Sequence, residues 1–267
     1  MSIFIAFHKE YPQLTVDAAY QPLHVGKSLS NKELGFQGDN QGDHISEKNP
    51  FYSELTGLYW IWKNTQSDWV GLSHYRRFFF YQSPTLPMKM KKLGEYFIGQ
   101  GKKRSGIFYS SNRNDAQLIL TGDEVKQLFS HCDAIVPMSR KMKYSVWKQY
   151  KRRHVMKDLE TTQQIIAEIF PSYLSTFNEV VKKKELFSCN MFIMKRKYFN
   201  EYMEWLFNIL FELEKRIDIS NYDNYQKRLF GFVSERLFDV WITHHQVKTK
   251  KLPVLYFKSL SFGSLKF

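Results

Sequence analysis

The chain has 267 residues, of which 39 are Lys or Arg and 26 are Asp or Glu, so its formal net charge is +13. Apolar residues make up 43% of the chain and aromatic residues 17%, which is too much for a disordered protein. Two cysteines are too few for a disulfide framework or a structural zinc site, and no run approaches the roughly 18 apolar residues of a membrane-spanning helix. We therefore expect one globular domain, residues 1–267, in the reducing cytoplasm, without a signal peptide.

The positive charge is concentrated in the middle of the chain. Residues 76–157 carry 18 basic and 5 acidic side chains, a net charge of +13, whereas residues 1–75 have a net charge of −3 and residues 158–267 of +3. Such a local excess indicates an anionic partner, which could be a nucleic acid, a membrane surface or a phosphorylated ligand.

The first third of the chain predicts a buried strand, a loop and a helix. Residues 3–7 are continuously apolar, which is typical of a strand covered on both faces, and His8 and Lys9 follow at its carboxyl end. Ligands bind at that edge in open α/β sheets. Residues 35–49 are rich in Gly, Asp and Asn and predict a loop. Asn49 and the proline after it indicate the start of a buried helix over residues 50–64.

The rest of the chain continues to alternate between strands and helices. Residues 68–72 predict a strand that runs into Ser73-His74-Tyr75-Arg76-Arg77, and residues 83–115 predict an irregular, mobile insertion. The remaining predicted elements are a strand at 134–137, a basic run at 140–157, a helix around 165–170, a strand at 186–194, an amphipathic helix at 198–213, a helix capped by Ser234 and a strand at 253–257. This order predicts an α/β fold with a mainly parallel central sheet flanked by helices.

The segment from His74 to Arg77 is the sharpest candidate for a binding site. Guanidinium groups bind phosphate oxygens through paired hydrogen bonds, so Arg76 and Arg77 at the end of a strand would suit a diphosphate. The alternative is that these side chains are solvated or form structural ion pairs. The glycine pattern matches neither a phosphate-binding loop nor a dinucleotide fingerprint.

Several further acidic and amide side chains could belong to a site. Asp39, Asn40 and Asp43 could bind a ribose, a sugar hydroxyl or a metal, or simply form turns. Asn190 interrupts a predicted apolar strand and needs hydrogen-bond partners in the protein or in a ligand. Glu235, at a predicted helix start, could be a general base or only a favourable charge at the helix dipole. No histidine or cysteine has metal-ligand spacing, so we predict no metal site.

Several motifs of the sequence together resemble those of a known family. The resemblance rests on His8-Lys9, Gly42-Asp43-His44-Ile45-Ser46, Glu54-Leu55-Thr56, His74-Tyr75-Arg76-Arg77, Asn190-Met191-Phe192 and Gly231-Phe232-Val233-Ser234-Glu235-Arg236-Leu237. These motifs cover nearly the whole chain and are similar to those of a family of bacterial glycosyltransferases of capsular polysaccharide and O-antigen synthesis, long catalogued as a domain of unknown function. One departure is His44, where the family usually has Asn, so no role is carried over to this position.

The resemblance implies a GT-A-like fold and transfer of galactopyranose or galactofuranose from a UDP-sugar to a glycan acceptor linked to a polyprenyl diphosphate. It implies a nucleotide-sugar half at about 1–137 and an acceptor half at about 138–267. The general GT-A plan has a metal-binding Asp-x-Asp after the second strand, where this chain has His74-Tyr75-Arg76-Arg77. We therefore expect cationic side chains to replace the divalent metal; a site that uses Mn or Mg is the less favoured alternative.

The resemblance also suggests roles for individual residues. His8, Lys9, His74, Tyr75, Arg76 and Arg77 would bind the nucleotide and diphosphate of the donor, while Asp39, Asp43 and Asn190 would bind the donor sugar or ribose. Glu235 would be the base if the reaction inverts the anomeric configuration; the sequence leaves inversion or retention open. The basic run, represented by Lys151, Arg152, Arg153 and His154, has no place in that donor site. It is expected to meet the acceptor diphosphate or the anionic inner face of the membrane, or to be a solvated helix.

A different class of function remains open on the residues alone. Aromatic side chains are mixed with Lys and Arg around residues 144–153, and they could stack on the bases of a nucleic acid. No recognised nucleic-acid-binding motif is present, so a non-enzymatic basic protein that binds nucleic acid or a membrane surface is the alternative to the transferase.

Overall fold

A computed structural model describes residues 1–14, 16–97, 106–258 and 260. Its strands are β1 Ser2–Phe7, β2 Tyr20–His24, β3 Trp69–His74, β4 Arg77–Phe79, β5 Ile107–Ser110, β6 Ala134–Pro137, β7 Arg140–Lys141, β8 Glu185–Leu186, β9 Phe192–Lys195, β10 Thr249–Leu252 and β11 Val254–Phe257. Its helices are α1 Asn49–Tyr52, α2 Leu55–Asn64, α3 Leu86–Phe97, α4 Gly122–Leu128, α5 Val146–Lys151, α6 Met156–Ile169, α7 Leu174–Val180, α8 Arg196–Arg216 and α9 Leu229–His244. The predicted α/β class is confirmed.

The main sheet is mixed and branches at β3. On one side β3 pairs in parallel with β1, and β1 pairs in parallel with β2. On the other side β3 pairs antiparallel with β9, which leads through β6 to β10. Beyond its carboxyl end β3 turns into β4, and β11 and β5 extend that branch. The sheet was expected to be mainly parallel, but β9 and β4 both run against β3.

Two hydrophobic clusters cover the sheet, one on each face. Phe4 and Ala6 of β1 belong to the cluster built by α2, α8 and α9, whereas Ile3, Ile5 and Phe7 belong to the other. Alternate side chains of a strand point to opposite faces, so every residue of β1 is buried. This confirms the prediction of a strand covered on both faces. Because β1 pairs in parallel with β3, the carboxyl ends of the two strands lie side by side.

The predicted helix over residues 50–64 is broken in two. Ser53 has φ 52° and ψ −132°, which ends α1 and separates it from α2. Asn49 was predicted to cap the helix, but its side-chain amide instead donates to the Ser53 carbonyl at 2.7 Å and lies 3.1 Å from Thr56 Oγ1. The break leaves Glu54 at the junction between the two helices.

Two elements of the second half also differ from the prediction. Residues 186–194 are not one strand, because Cys189 and Asn190 adopt left-handed backbone angles, φ 83° and 45°, between β8 and β9. Ser234 does not cap a helix, since α9 starts at Leu229 and buries Ser234 in its interior. Glu235 is therefore inside α9 rather than at its start, and a charge–dipole role at the first turn does not apply.

The expected irregular insertion is largely regular where the structure describes it. Residues 83–115 contain helix α3 and strand β5, and only residues 98–105 of this segment lie outside the described residues. The basic run contributes β7 and α5. No helix within the described ranges is long and apolar enough to cross a bilayer.

Candidate active site

A cleft of about 1190 Å³ opens where β1 and β3 end. His8 follows β1 and His74 ends β3, and both line the cleft, as expected for the carboxyl edge of a sheet. The other walls come from the α1–α2 junction, the turn before β9, the first half of α9, and residues of β5, β7 and β11.

The two arginines of the His-Tyr-Arg-Arg segment are held by aromatic rings rather than by carboxylates. The Arg76 guanidinium lies 4.9 Å from the ring centre of Tyr75 and 5.3 Å from that of Tyr256, and the Arg77 guanidinium lies 5.2 Å from Tyr256. Within the part of the chain that the structure describes, neither forms a salt bridge with a carboxylate. A cation–π contact holds a guanidinium without a carboxylate partner, so its N–H groups can donate to the oxygens of an anion.

Tyr75 is the buried support of this arrangement. Its ring packs against Phe7 at 5.7 Å, His8 at 5.2 Å and Tyr11 at 5.0 Å between ring centres. The pKa of His8 is lowered, first by partial removal from water and then by the positive charges of Lys9 and Arg76. Tyr75 therefore acts through packing, and the charge of the site comes from the arginines.

His74 is neutral and structural. Its pKa is lowered to about 4, mainly because the ring is buried; the Glu54 carboxylate acts in the opposite direction, and the charge of Arg77 contributes to the lowering. Its Nε2 lies 2.6 Å from the Cys189 carbonyl oxygen. At neutral pH the ring must donate its proton to that carbonyl, since a carbonyl can only accept. His74 thus ties β3 to the turn before β9 and adds no positive charge.

The left-handed turn at Cys189 and Asn190 joins the two carboxylates of the cleft. Glu235 Oε1 accepts from the Cys189 backbone N–H at 2.8 Å. The Asn190 side-chain amide donates to Glu54 Oε1 at 2.8 Å, and its oxygen accepts from Ser234 Oγ at 3.1 Å. A non-glycine residue at φ 83° costs free energy, and such strain persists where the surrounding contacts over-determine it, often at functional sites.

Glu235 reaches the cleft from α9 beside a buried arginine. Its Oε2 lies 3.1 Å from Arg236, which also donates to the Phe232 carbonyl and to Gln149 at 2.7 Å each. The Glu235 side chain keeps about a quarter of its surface exposed, 24%. Burial would lower the pKa of Arg77, but Cys189, Tyr256 and the Glu54 and Glu235 carboxylates together raise it, so Arg77 carries its charge between two acids.

Part of the basic run reaches the same cleft. Arg153 and His154 line it together with Arg140 of β7 and Arg228, which precedes α9. The His154 ring packs on Phe232 at 4.1 Å, and burial, with the charge of Arg236, lowers its pKa to about 4. Arg153 and His154, expected to meet the acceptor or the membrane rather than the donor, thus lie in the same cleft as Arg76 and Arg77, and their role stays a prediction.

Six other residues with a suggested role do not line the cleft. Asn190, expected to bind the donor sugar or ribose, is buried, and its amide is bound to Glu54, Gly231 and Ser234 of the protein itself. Lys151 and Arg152 are exposed beside it, Lys9 is exposed next to the Tyr75 ring, and Asp43 is exposed on the α2 side, where it accepts from the Tyr59 hydroxyl at 3.0 Å. Asp39 is fully buried and accepts from the backbone N–H groups of Gly26 and Lys27 at 2.9 and 3.1 Å. The Asp39 carboxylate therefore holds the backbone at Gly26, which lines the cleft, while Asp39 itself does not line it.

Sequence reasoning assigned no site role to several residues that the fold brings to the cleft. Glu54 was part of a family motif, and its position at a helix break was hidden by the helical pattern. Arg228 and Tyr256 come from distant segments, and nothing in the local sequence distinguishes them from surface side chains. Across the described residues, no group of three or more His, Cys, Asp or Glu could hold a metal ion.

Comparison with protein families shows which family the chain belongs to. Residues 2–246 match the model of a family described as a domain of unknown function, DUF4422. The chain belongs to this family. The resemblance drawn from the sequence motifs is confirmed at that level.

A solved structure shares the fold. The apo structure of WbbM, a bifunctional glycosyltransferase, superposes with a TM-score of 0.82 at 29% sequence identity. The match covers 97% of this chain and 45% of that one, so this chain spans less than half of the solved protein. A comparison with curated proteins gave no match.

Proposed function

We propose that this chain is a glycosyltransferase that moves a hexose, galactopyranose or galactofuranose, from a UDP-sugar to a glycan acceptor. The observation that carries the proposal is a cleft lined by two guanidinium groups, Arg76 and Arg77, neither of which forms a salt bridge with a carboxylate among the described residues, in a fold shared with a glycosyltransferase structure. We place the reaction in bacterial surface polysaccharide synthesis, in the cytoplasm at the inner face of the membrane.

In this proposal Arg76 and Arg77 bind the diphosphate of the donor. Negative charge grows on the bridging oxygen as UDP leaves, and fixed cations in a partly dry cleft stabilise that charge most in the transition state. The rings of Tyr75 and Tyr256 hold both guanidinium groups in place before the donor binds, so the two side chains lose little conformational entropy on binding. This is the electrostatic role that a divalent metal could otherwise fill.

Glu235 is the proposed base. The acceptor hydroxyl oxygen would form a bond to the anomeric carbon of the sugar, the bond from that carbon to the UDP oxygen would break, and the hydroxyl proton would pass to Glu235. Both Glu235 oxygens already accept one hydrogen bond, from Cys189 and Arg236, but each retains a second lone pair. Glu54, held by Asn190, would then orient a sugar hydroxyl.

The acceptor is proposed to enter on the side of the second group of cations. Arg140, Arg153 and Arg228 are exposed, line the cleft and come with the aromatic rings of Tyr225 and Phe232. This combination suits a glycan that carries a diphosphate, as a polyprenyl-diphosphate-linked acceptor does.

The test is titration calorimetry with UDP, followed by a screen of UDP-sugars for release of UDP, each with and without EDTA. We expect UDP binding that EDTA does not weaken and that falls at least about tenfold in the Arg76→Gln/Arg77→Gln variant. The matched control is Arg113→Gln, an exposed arginine outside the cleft that donates to the Gln13 carbonyl.

Two results would count against the proposal. Absence of UDP binding, together with tight and salt-dependent RNA binding, would favour the nucleic-acid alternative. If EDTA abolishes turnover and manganese restores it, arginines do not replace the metal. The proposed transferase activity would still stand.

A further inference from the structure

Helix α3 presents an apolar stripe to solvent. Leu86, Met90, Leu93 and Phe97 are exposed by 70%, 65%, 57% and 79%. Their spacing of four, three and four residues places them within about 60° of arc on one face of the helix. Met88, on another face, is 3% exposed and packs into the core, so it anchors α3 to the domain while the stripe points away.

The stripe is accompanied by positive charge. Residues 86–97 contain three lysines and a single acid, Glu95. Lys89 and Lys91 are exposed, and Lys92 donates to the Ile107 carbonyl at 2.9 Å. A helix that combines a narrow apolar face with flanking lysines matches the two faces of an anionic bilayer surface, whose headgroups attract the ammonium groups while its acyl boundary accepts the apolar side chains.

We propose that α3 is the element by which this chain docks on an anionic lipid surface. The helix would lie in the plane of the interface with Leu86, Met90, Leu93 and Phe97 inserted. The basic run at 140–157, expected from the sequence as a membrane contact, is less suited to this role, since none of its large apolar side chains is exposed. Its charges face the cleft or water.

The position of α3 relates docking to the cleft. Ile107 and Tyr109 of β5 line the cleft, and α3 packs on β5 through Lys92 at the Ile107 carbonyl and Lys91 at 5.9 Å from the Tyr109 ring. A docked α3 would therefore hold the β5 side of the cleft close to the lipid headgroups. Docking itself rests only on the surface of α3, so it holds or fails independently of the proposed transferase function.

The experiment is co-sedimentation of the full chain with vesicles of phosphatidylcholine, with and without phosphatidylglycerol. We expect binding to the anionic vesicles only. The variant Met90→Ser/Leu93→Ser/Phe97→Ser should bind at least about tenfold more weakly, and Lys89→Gln/Lys91→Gln should lose about tenfold or more as well. Circular dichroism and UDP calorimetry on every variant would show that the fold and the cleft are intact.

A matched pair of single changes sharpens the test. Phe97 and Ile169 are both exposed apolar side chains at the last position of a helix, α3 and α6 respectively. Phe97→Ser should weaken vesicle binding, whereas Ile169→Ser should leave it unchanged.

Three outcomes would overturn the proposal. These are no binding of the unaltered chain to anionic vesicles, unchanged binding of the triple serine variant, and self-association in lipid-free sedimentation velocity that the same variant abolishes. The last result would show that a second copy of the chain, rather than lipid, covers the stripe. If vesicles bind as expected and UDP does not, the docking inference stands and the proposed function fails.

Discussion

Glu54 and Glu235 reach the cleft from different segments and are tied to the same short turn. Glu235 accepts from the Cys189 backbone, and Glu54 accepts from the Asn190 side chain. The turn therefore sets the distance between the two acids, and any change of its left-handed backbone would move both. Both carboxylates raise the pKa of Arg77, so the positive charge of the proposed donor site lies near the proposed base.

We predict different effects of isosteric substitutions at these two carboxylates. Glu235→Gln keeps an oxygen that can accept from Cys189 but removes the proton acceptor, so kcat should fall by about 10²–10⁴-fold while UDP affinity changes little. Glu54→Gln should raise KM for the donor sugar with a smaller loss of kcat. Steady-state kinetics and UDP calorimetry measure both effects.

The pair of variants also decides between the two acids. If Glu54→Gln abolishes turnover and Glu235→Gln leaves it near normal, the base is Glu54. Near-normal turnover in both variants would mean that neither carboxylate takes the proton.

Strand β3 is the element on which the cleft depends most. It pairs with β1 on one side and with β9 on the other, and it continues through a tight turn into β4, so it carries His74 and both arginines to the cleft. Gly71 lies at its centre. A β-carbon there would come within 2.8 Å of Ile193 Cγ1 and 3.1 Å of the Phe192 carbonyl oxygen.

We predict that Gly71→Ala lowers the free energy of unfolding by about 1–3 kcal/mol, because the added methyl group must push the neighbouring strand β9 aside. Urea denaturation followed by tryptophan fluorescence measures the change. Gly94→Ala in α3 is the control, since nothing lies within 4 Å of its β-carbon. That variant should be neutral or more stable, by up to about 1 kcal/mol. An unchanged midpoint for Gly71→Ala would show that β9 yields without cost.

Stability against acid is a property of the whole molecule, to which His74 and His154 both contribute because burial lowers the pKa of each to about 4. The pKa of His74 is about 4 in the folded chain, against 6.5 for a free histidine. Between these values the unfolded chain binds the proton and the folded chain does not, so stability is fully present above pH 6.5 and falls as the pH drops towards 4.

We predict that His74→Gln flattens this loss. From pH 7 to pH 4, the unaltered chain should lose about 2–3 kcal/mol more than the variant. Urea denaturation at a series of pH values measures the difference, with His131→Gln, at an exposed histidine, as control. Asp158, whose pKa is raised to about 6 by burial, acts in the opposite sense, so the comparison between variants is the informative quantity. Parallel curves for the two variants would contradict the role of His74.

The charge of the whole molecule divides between two surfaces. The sequence analysis divided the basic segment 76–157 into Arg76 and Arg77 at a donor site and a separate run at 140–157. The fold instead brings Arg76, Arg77, Arg140 and Arg153 into one cleft and leaves Lys89 and Lys91 of α3 on the outside. Charge along a chain predicts the sign of a partner, whereas its distribution in space requires the path of the chain.

The sequence alone determined the features that depend on local pattern. Strand β1, strand β3, strand β6 and helix α8 follow from apolar runs and from helical spacing, because burial of those side chains leaves one conformation far more stable than the others. The α/β class follows from their order, and the position of His8 and His74 at the cleft follows from the rule for the carboxyl edge of a sheet.

Only the tertiary structure decided the features that depend on contacts between distant segments. The break at Ser53, the left-handed turn at Cys189 and the antiparallel course of β9 are each stabilised by partners more than 40 residues away or by packing on both faces of the sheet. The proximity of Glu54 and Glu235 is of the same kind. Local propensity is worth at most about 1 kcal/mol per residue, and these long-range hydrogen bonds and buried surfaces outweigh it.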